Sequence, residues 1–81
     1  MSKIKILIVE DEPVIAENIS LYLDNNDFEV SAIAYDSDDA FTQLKTNTPD
    51  AAILDINLES EKDGIDIASF INKELQIPFL F

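Results

Sequence analysis

No cysteine, histidine or arginine occurs in these 81 residues, and glycine occurs once. Without cysteine there is no disulfide framework, no thiolate metal site and no cysteine nucleophile. Without histidine the usual general base and the usual zinc ligand are gone, so any chemistry rests on carboxylates. Positive charge is scarce too: 5 lysines stand against 17 acids, a net charge of −12, which argues against direct binding of nucleic acid by this segment. Long apolar runs are also missing. The stretches from Ile6 to Val9, Ala51 to Leu54 and Ile77 to Phe81 fall far short of the ~18–20 residues that cross a bilayer. Met1-Ser2-Lys3 leads to a short apolar run and then at once to Glu10-Asp11-Glu12, which is not the pattern of a signal peptide. A cytoplasmic protein with no membrane contact is expected.

Hydrophobic residues make up 47% of the chain, too many for a disordered acidic tail and enough for a packed globule. The length allows one domain with a thin core. Ile4 to Val9 is apolar except at Lys5 and rich in β-branched residues, as in a central parallel strand covered on both faces. Pro13 suits a first helical turn, with Asp11 or Glu12 near the cap and Ile15, Ile19, Tyr22 and Leu23 at helical spacing, and the helix ends near Asn25-Asn26-Asp27. Phe28 to Ala34 alternates before turning continuously apolar, so a more peripheral strand is predicted. Asp36 or Ser37 caps a second helix carrying Ala40, Phe41 and Leu44, ended by Thr48-Pro49. Ala51 to Ile56 reads as a third strand. A polar loop from Asn57 to Gly64 precedes a helix with Ile65, Ala68, Ile71 and Leu75 on one stripe, and Pro78 opens a fourth strand. Strands alternating with helices at this pitch imply βαβ units and a parallel sheet.

Both strands that read as fully buried end in acids, Glu10-Asp11 after the first and Asp55 after the third. In an open parallel sheet the ligand crevice lies beyond the carboxyl ends of the strands, where the strand order reverses. An order beginning 2-1-3 brings the three carboxylates together there. Like charges at such spacing need a cation or raised pKa values, and Mg²⁺ is favoured because it takes hard oxygen ligands and keeps waters that a phosphate can displace. Beside such an ion, Asp55 is a candidate phosphoryl acceptor. Acids at strand ends also serve as solvated helix caps, and Glu12 is read in that way. Glu59, Glu61, Asp63 and Gly64 have the spacing that opens an EF-hand loop, but Phe70 stands where a bidentate Glu is required. Gly64 is therefore expected to serve a backbone turn.

The run Ile6-Leu7-Ile8-Val9-Glu10-Asp11-Glu12-Pro13, with Ala52-Ile53-Leu54-Asp55-Ile56-Asn57-Leu58 and Asp63-Gly64, resembles the receiver domain of bacterial two-component response regulators. The resemblance extends over residues 1–81 and implies an α/β fold: a doubly wound, flavodoxin-like parallel sheet of strand order 2-1-3-4. It makes Asp55 the phosphorylation site, Asp11 a direct Mg²⁺ ligand, Glu10 a ligand acting through water, and the main-chain carbonyl of Asn57 a further ligand. A histidine kinase or phosphotransfer protein would donate the phosphoryl group, and phosphorylation would shift an existing equilibrium that an output domain or partner reads. Receivers also carry a Ser or Thr just past the fourth strand and a Lys past the fifth. Neither is present, so the chain is expected to be the first two-thirds of a receiver that lacks the fifth strand and last helices.

Two alternatives stay open. One is a phosphorylation-incompetent pseudo-receiver or dimerisation module, associating as a homodimer through an exposed sheet edge or face. The other is a Mg²⁺-dependent phosphatase of the haloacid-dehalogenase type, which shares the aspartyl nucleophile. That family places a second Asp where Asn57 stands, and its nucleophile follows the first strand of the core.

Overall fold

The structure, a computed structural model, describes residues 3–55 and 64–81. Its elements run β1 (Ile4–Val9), α1 (Pro13–Asp24), β2 (Phe28–Ala34), α2 (Ser37–Thr46), β3 (Ala51–Leu54), α3 (Gly64–Phe70), a π-helical turn (Ile71–Leu75) and β4 (Phe79–Leu80). The four strands are parallel and lie in the order β2-β1-β3-β4. Ile56, expected to close the third strand, lies outside the described residues. Pro78 stands just before β4 and joins the ladder through its carbonyl, which accepts the Ala52 N–H at 3.1 Å.

β1 is buried on both faces because its alternate side chains enter different cores. Leu7 and Val9 join Ala34, Leu44, Leu54, Ile67 and Ile71 beneath α2 and α3. Ile6 and Ile8 join Ala16 and Leu23 beneath α1. β2 meets the same demand through a bulge. Ile6 pairs with Val30 and Leu7 with Ala32, so Ser31 is the extra residue. Its hydroxyl donates to the Ile6 carbonyl at 3.3 Å. The bulge resets the side-chain phase, so that Phe28, Val30 and Ile33 pack on the α1 side while Ala32 and Ala34 pack on the other. The expected break in alternation along β2 is this reset.

The helix ends follow local chemistry. Asp36 caps α2, its carboxylate accepting the Asp39 N–H at 2.8 Å, and the Thr48 hydroxyl donates to the Leu44 carbonyl just past the last turn. Glu12 is the N-cap of α1, with Pro13 in the first turn. The apolar stripe expected on α1 is rotated, and that of α3 departs at Ile65 alone. On α1, Ala16 and Leu23 are buried whereas Ile15 and Tyr22 are exposed; the helix lies over β1 and β2, and Tyr22 borders an open groove beside it. That groove, of about 630 Å³, is lined by Ile6, Ile19, Tyr22, Ala51, Ile53 and Phe79 among others. Further on, Ala68 of α3 and Ile71 and Leu75 of the π-helical turn pack on the core as expected, joined by Ile67, while Ile65 is 58% exposed. The π-helical turn then carries the chain to Gln76, whose φ of 55° is left-handed and whose N–H donates to the Ile71 carbonyl. Among the described residues no helix is long and apolar enough to cross a membrane.

Candidate functional site

The sheet ladder places the acidic residues. Val9 is in register with Leu54, so the residues that follow them, Glu10 and Asp55, emerge side by side at the carboxyl end of the sheet. Each is pinned by one more main-chain bond past its strand: Glu10 N–H donates to the Ala34 carbonyl at 3.0 Å, and Asp55 N–H to the Val9 carbonyl at 2.9 Å. Asp11 follows Glu10 and precedes α1. One carboxylate oxygen from each of Glu10, Asp11 and Asp55 lies within 4.8 Å of the others, and all three residues are half-buried. The convergence expected from the sequence is therefore present in the fold.

The charges are felt most at Glu10. Its carboxyl is pushed above the ordinary range first by partial burial and then by Asp11 and Asp55, while the N–H of Glu12, which donates to Oε2 at 3.1 Å, pulls the other way. The balance describes a carboxylate that a nearby cation would favour. The donor set is all hard oxygen, which suits Mg²⁺. Oxygens on opposite sides of one Mg²⁺ stand roughly 4.2 Å apart at ~2.1 Å per bond. A group spread over as much as 4.8 Å thus accommodates an ion with one carboxylate acting through water. A depression of about 370 Å³ adjoins the cluster, lined by Glu10 and Asp55 with Val9, Leu54 and Phe81.

The main-chain carbonyl of Asn57, expected as a further ligand, lies outside the described residues, as do Glu59, Glu61 and Asp63 of the calcium-loop spacing. Gly64, expected to serve a backbone turn, begins α3 as a buried residue. Two contributors were not singled out from the sequence: Phe81, which walls the depression, and the Glu12 N–H, which holds Glu10. No short-range pattern marks Phe81, whereas an acid two residues before a helix N-cap is a signal for the second.

Residues 6–81 match the family model of the response regulator receiver domain. The chain belongs to the response regulator receiver family. Among solved structures it is similar to the response regulator PhyR from Brucella abortus, with a TM-score of 0.91 and 32% identity over 98% of this chain and 32% of that one. It is similar to the receiver domain of PhyR from Erythrobacter litoralis, with a TM-score of 0.91 and 25% identity over 100% of this chain and 63% of that one. PhyR from Bartonella quintana, an anti-anti-sigma factor solved in complex with the anti-sigma factor NepR, matches with a TM-score of 0.88 and 29% identity over 98% of this chain and 33% of that one. The chain thus spans about a third of the length of the Brucella and Bartonella proteins it matches. A receiver is a signalling module. The receiver sheet, with Asp55 after its third strand, takes the place of the phosphatase reading.

Proposed function

We propose that residues 1–81 act as a phosphoacceptor, with Asp55 receiving a phosphoryl group from a phosphohistidine of a histidine kinase or phosphotransfer protein. The observation that carries this reading is the meeting of Asp55 with Glu10 and Asp11 at one rim of the sheet. An oxygen of the Asp55 carboxylate attacks phosphorus in line, the P–N bond of the donor breaks, and the imidazole nitrogen keeps the electron pair and takes up a proton, leaving an acyl phosphate on Asp55. Asp11 would hold Mg²⁺ directly and Glu10 through water, with an Asp55 oxygen and the Asn57 carbonyl as further ligands. When bound there, Mg²⁺ neutralises charge on the phosphoryl oxygens.

Acetyl phosphate with Mg²⁺ tests the reading without any partner. Mass spectrometry should show a gain of one phosphoryl group, lost in Asp55→Asn and in the presence of chelator. No gain in the wild type, or a gain that Asp55→Asn retains, overturns it. The partner that reads the phosphorylated state belongs to the same proposal; that PhyR from Bartonella quintana is found in complex with an anti-sigma factor supports a protein partner of that kind.

A second reading, a dimerising module without phosphorylation, draws on the open groove beside α1 and on exposed Val14, Leu21, Leu80 and Phe81. Sedimentation of the Asp55→Asn chain separates the two: a dimer indifferent to this change, in a chain that takes up no phosphoryl group, favours the scaffold.

A further inference from the structure

Glu10 is held by the main chain of the residue that starts the next helix. The Glu12 N–H donates to Glu10 Oε2 at 3.1 Å, while the Glu12 carbonyl accepts the Ala16 N–H at 3.0 Å and so begins the bonding of α1. The two polar groups of one peptide residue thus do different work. The side chain of Glu12 makes no capping bond, and the next residue, Pro13, has no N–H to offer. Glu10 lies at the positive end of a 12-residue helix, in reach of Asp11 and Asp55, and its long arm has three rotatable bonds to be fixed before it can act on an ion.

We propose that the Glu12 main-chain N–H is a positioning group for Mg²⁺ uptake: by engaging one oxygen of Glu10 it confines the side chain beside Asp11 and Asp55 before the ion arrives. The inference rests on the metal-site reading above and adds a group to it that no side chain supplies. Part of the rotamer freedom that a glutamate loses on binding is already gone in the free protein, and the N–H offsets some of the repulsion among the three carboxylates. Glu10 carries the effect; Glu12 touches neither ion nor phosphoryl group.

The backbone at Glu12 is extended, with φ −94° and ψ 108°, about 30° in φ from the value proline fixes, so Glu12→Pro removes the N–H and retains the carbonyl that starts α1 at the cost of a modest backbone adjustment. Glu12→Ala loses the same carboxylate but keeps the N–H. Mg²⁺ titrations by isothermal calorimetry, on chains shown by circular dichroism to be folded in chelator, should give Glu12→Pro a Kd about three- to tenfold weaker than Glu12→Ala, the range for loss of one hydrogen bond. The gap should vanish when both changes are repeated in a Glu10→Ala background. Equal affinities of Glu12→Pro and Glu12→Ala overturn the inference, and so does a gap that survives in Glu10→Ala. Should Glu12→Pro fail to fold, an amide-to-ester replacement at Glu12, made by semisynthesis, deletes the same N–H and decides in its place. A wild-type chain that takes up no Mg²⁺ overturns the metal-site reading itself, whereas uptake that is indifferent to the N–H removes this inference alone.

Discussion

Replacing Asp55 by asparagine should stabilise the metal-free protein, contrary to the usual effect of altering a half-buried residue. The carboxylate oxygens of Asp55, Glu10 and Asp11 are no more than 4.8 Å apart. At that distance two like charges repel by ~1 kcal/mol in a water-like dielectric and by ~3.5 kcal/mol at an effective dielectric of about 20. The rim is only half-buried, so the lower figure governs, and salt at physiological strength removes roughly half of it. Asp55→Asn relieves two such pairs and keeps the side chain's size, for an expected gain of about 1–2 kcal/mol at low salt. For a domain of this length that corresponds to a rise in Tm of roughly 5–10 °C. Thermal melts followed by circular dichroism in chelator measure it, with Glu29→Gln as the control for lowering the overall charge of −12 at an exposed site. Millimolar Mg²⁺ should reverse the order, because an ion that binds only the folded state raises the wild-type Tm. A variant that melts at or below the wild type in chelator, or gains no more than Glu29→Gln, refutes the argument.

Glu10, whose carboxyl is raised in the folded state, binds its proton more tightly there than in the unfolded chain. Its ionisation therefore costs stability as pH rises through the ordinary carboxyl range, and the melting difference between wild type and Glu10→Gln in chelator should shrink on acidification from neutral pH. Leu44→Ala opens a void at a fully buried site and should cost about 2–5 kcal/mol by urea unfolding, whereas Leu21→Ala, at an exposed position, should stay within ~0.5 kcal/mol. Gln76→Gly at the left-handed position after the π-helical turn should raise stability by about 0.5–1 kcal/mol in the same assay.

Much of the fold is legible in the residues because each element answers to a local rule. The apolar run of Ile4–Val9 requires cover on both faces, and the two cores provide it. Pro13 and Asp36 mark where helices begin, by a missing donor in one case and a carboxylate acceptor in the other. The phase of the helices was harder to read. Ile15 and Ile65 are apolar at helical spacing, but what faces them depends on which strands the helix crosses, a tertiary fact that periodicity does not contain. Helix α1 sits over β1 and β2, not centrally, so Ile19 and Tyr22 look into the groove beside it. Likewise the Ser31 bulge showed in the sequence only as a change of rhythm; its cause is the need to present Ile33 to one core and Ala32 and Ala34 to the other.

The meeting of acids was legible for a different reason: parallel pairing fixes it. Once β1 and β3 are neighbours with Val9 beside Leu54, the next residue of each strand must emerge at the same rim, whatever the loops do. Topology thus places Glu10 and Asp55, with Asp11 following in the chain. It could not supply the orientation of Glu10, because that depends on the dihedral angles of the turn into α1, which point the Glu12 N–H back toward the carboxylate. A residue read as a solvated cap acts through its main chain, where residue identity leaves almost no trace. The exception is proline, the one residue without the N–H, and for that reason Glu12→Pro is the substitution that discriminates.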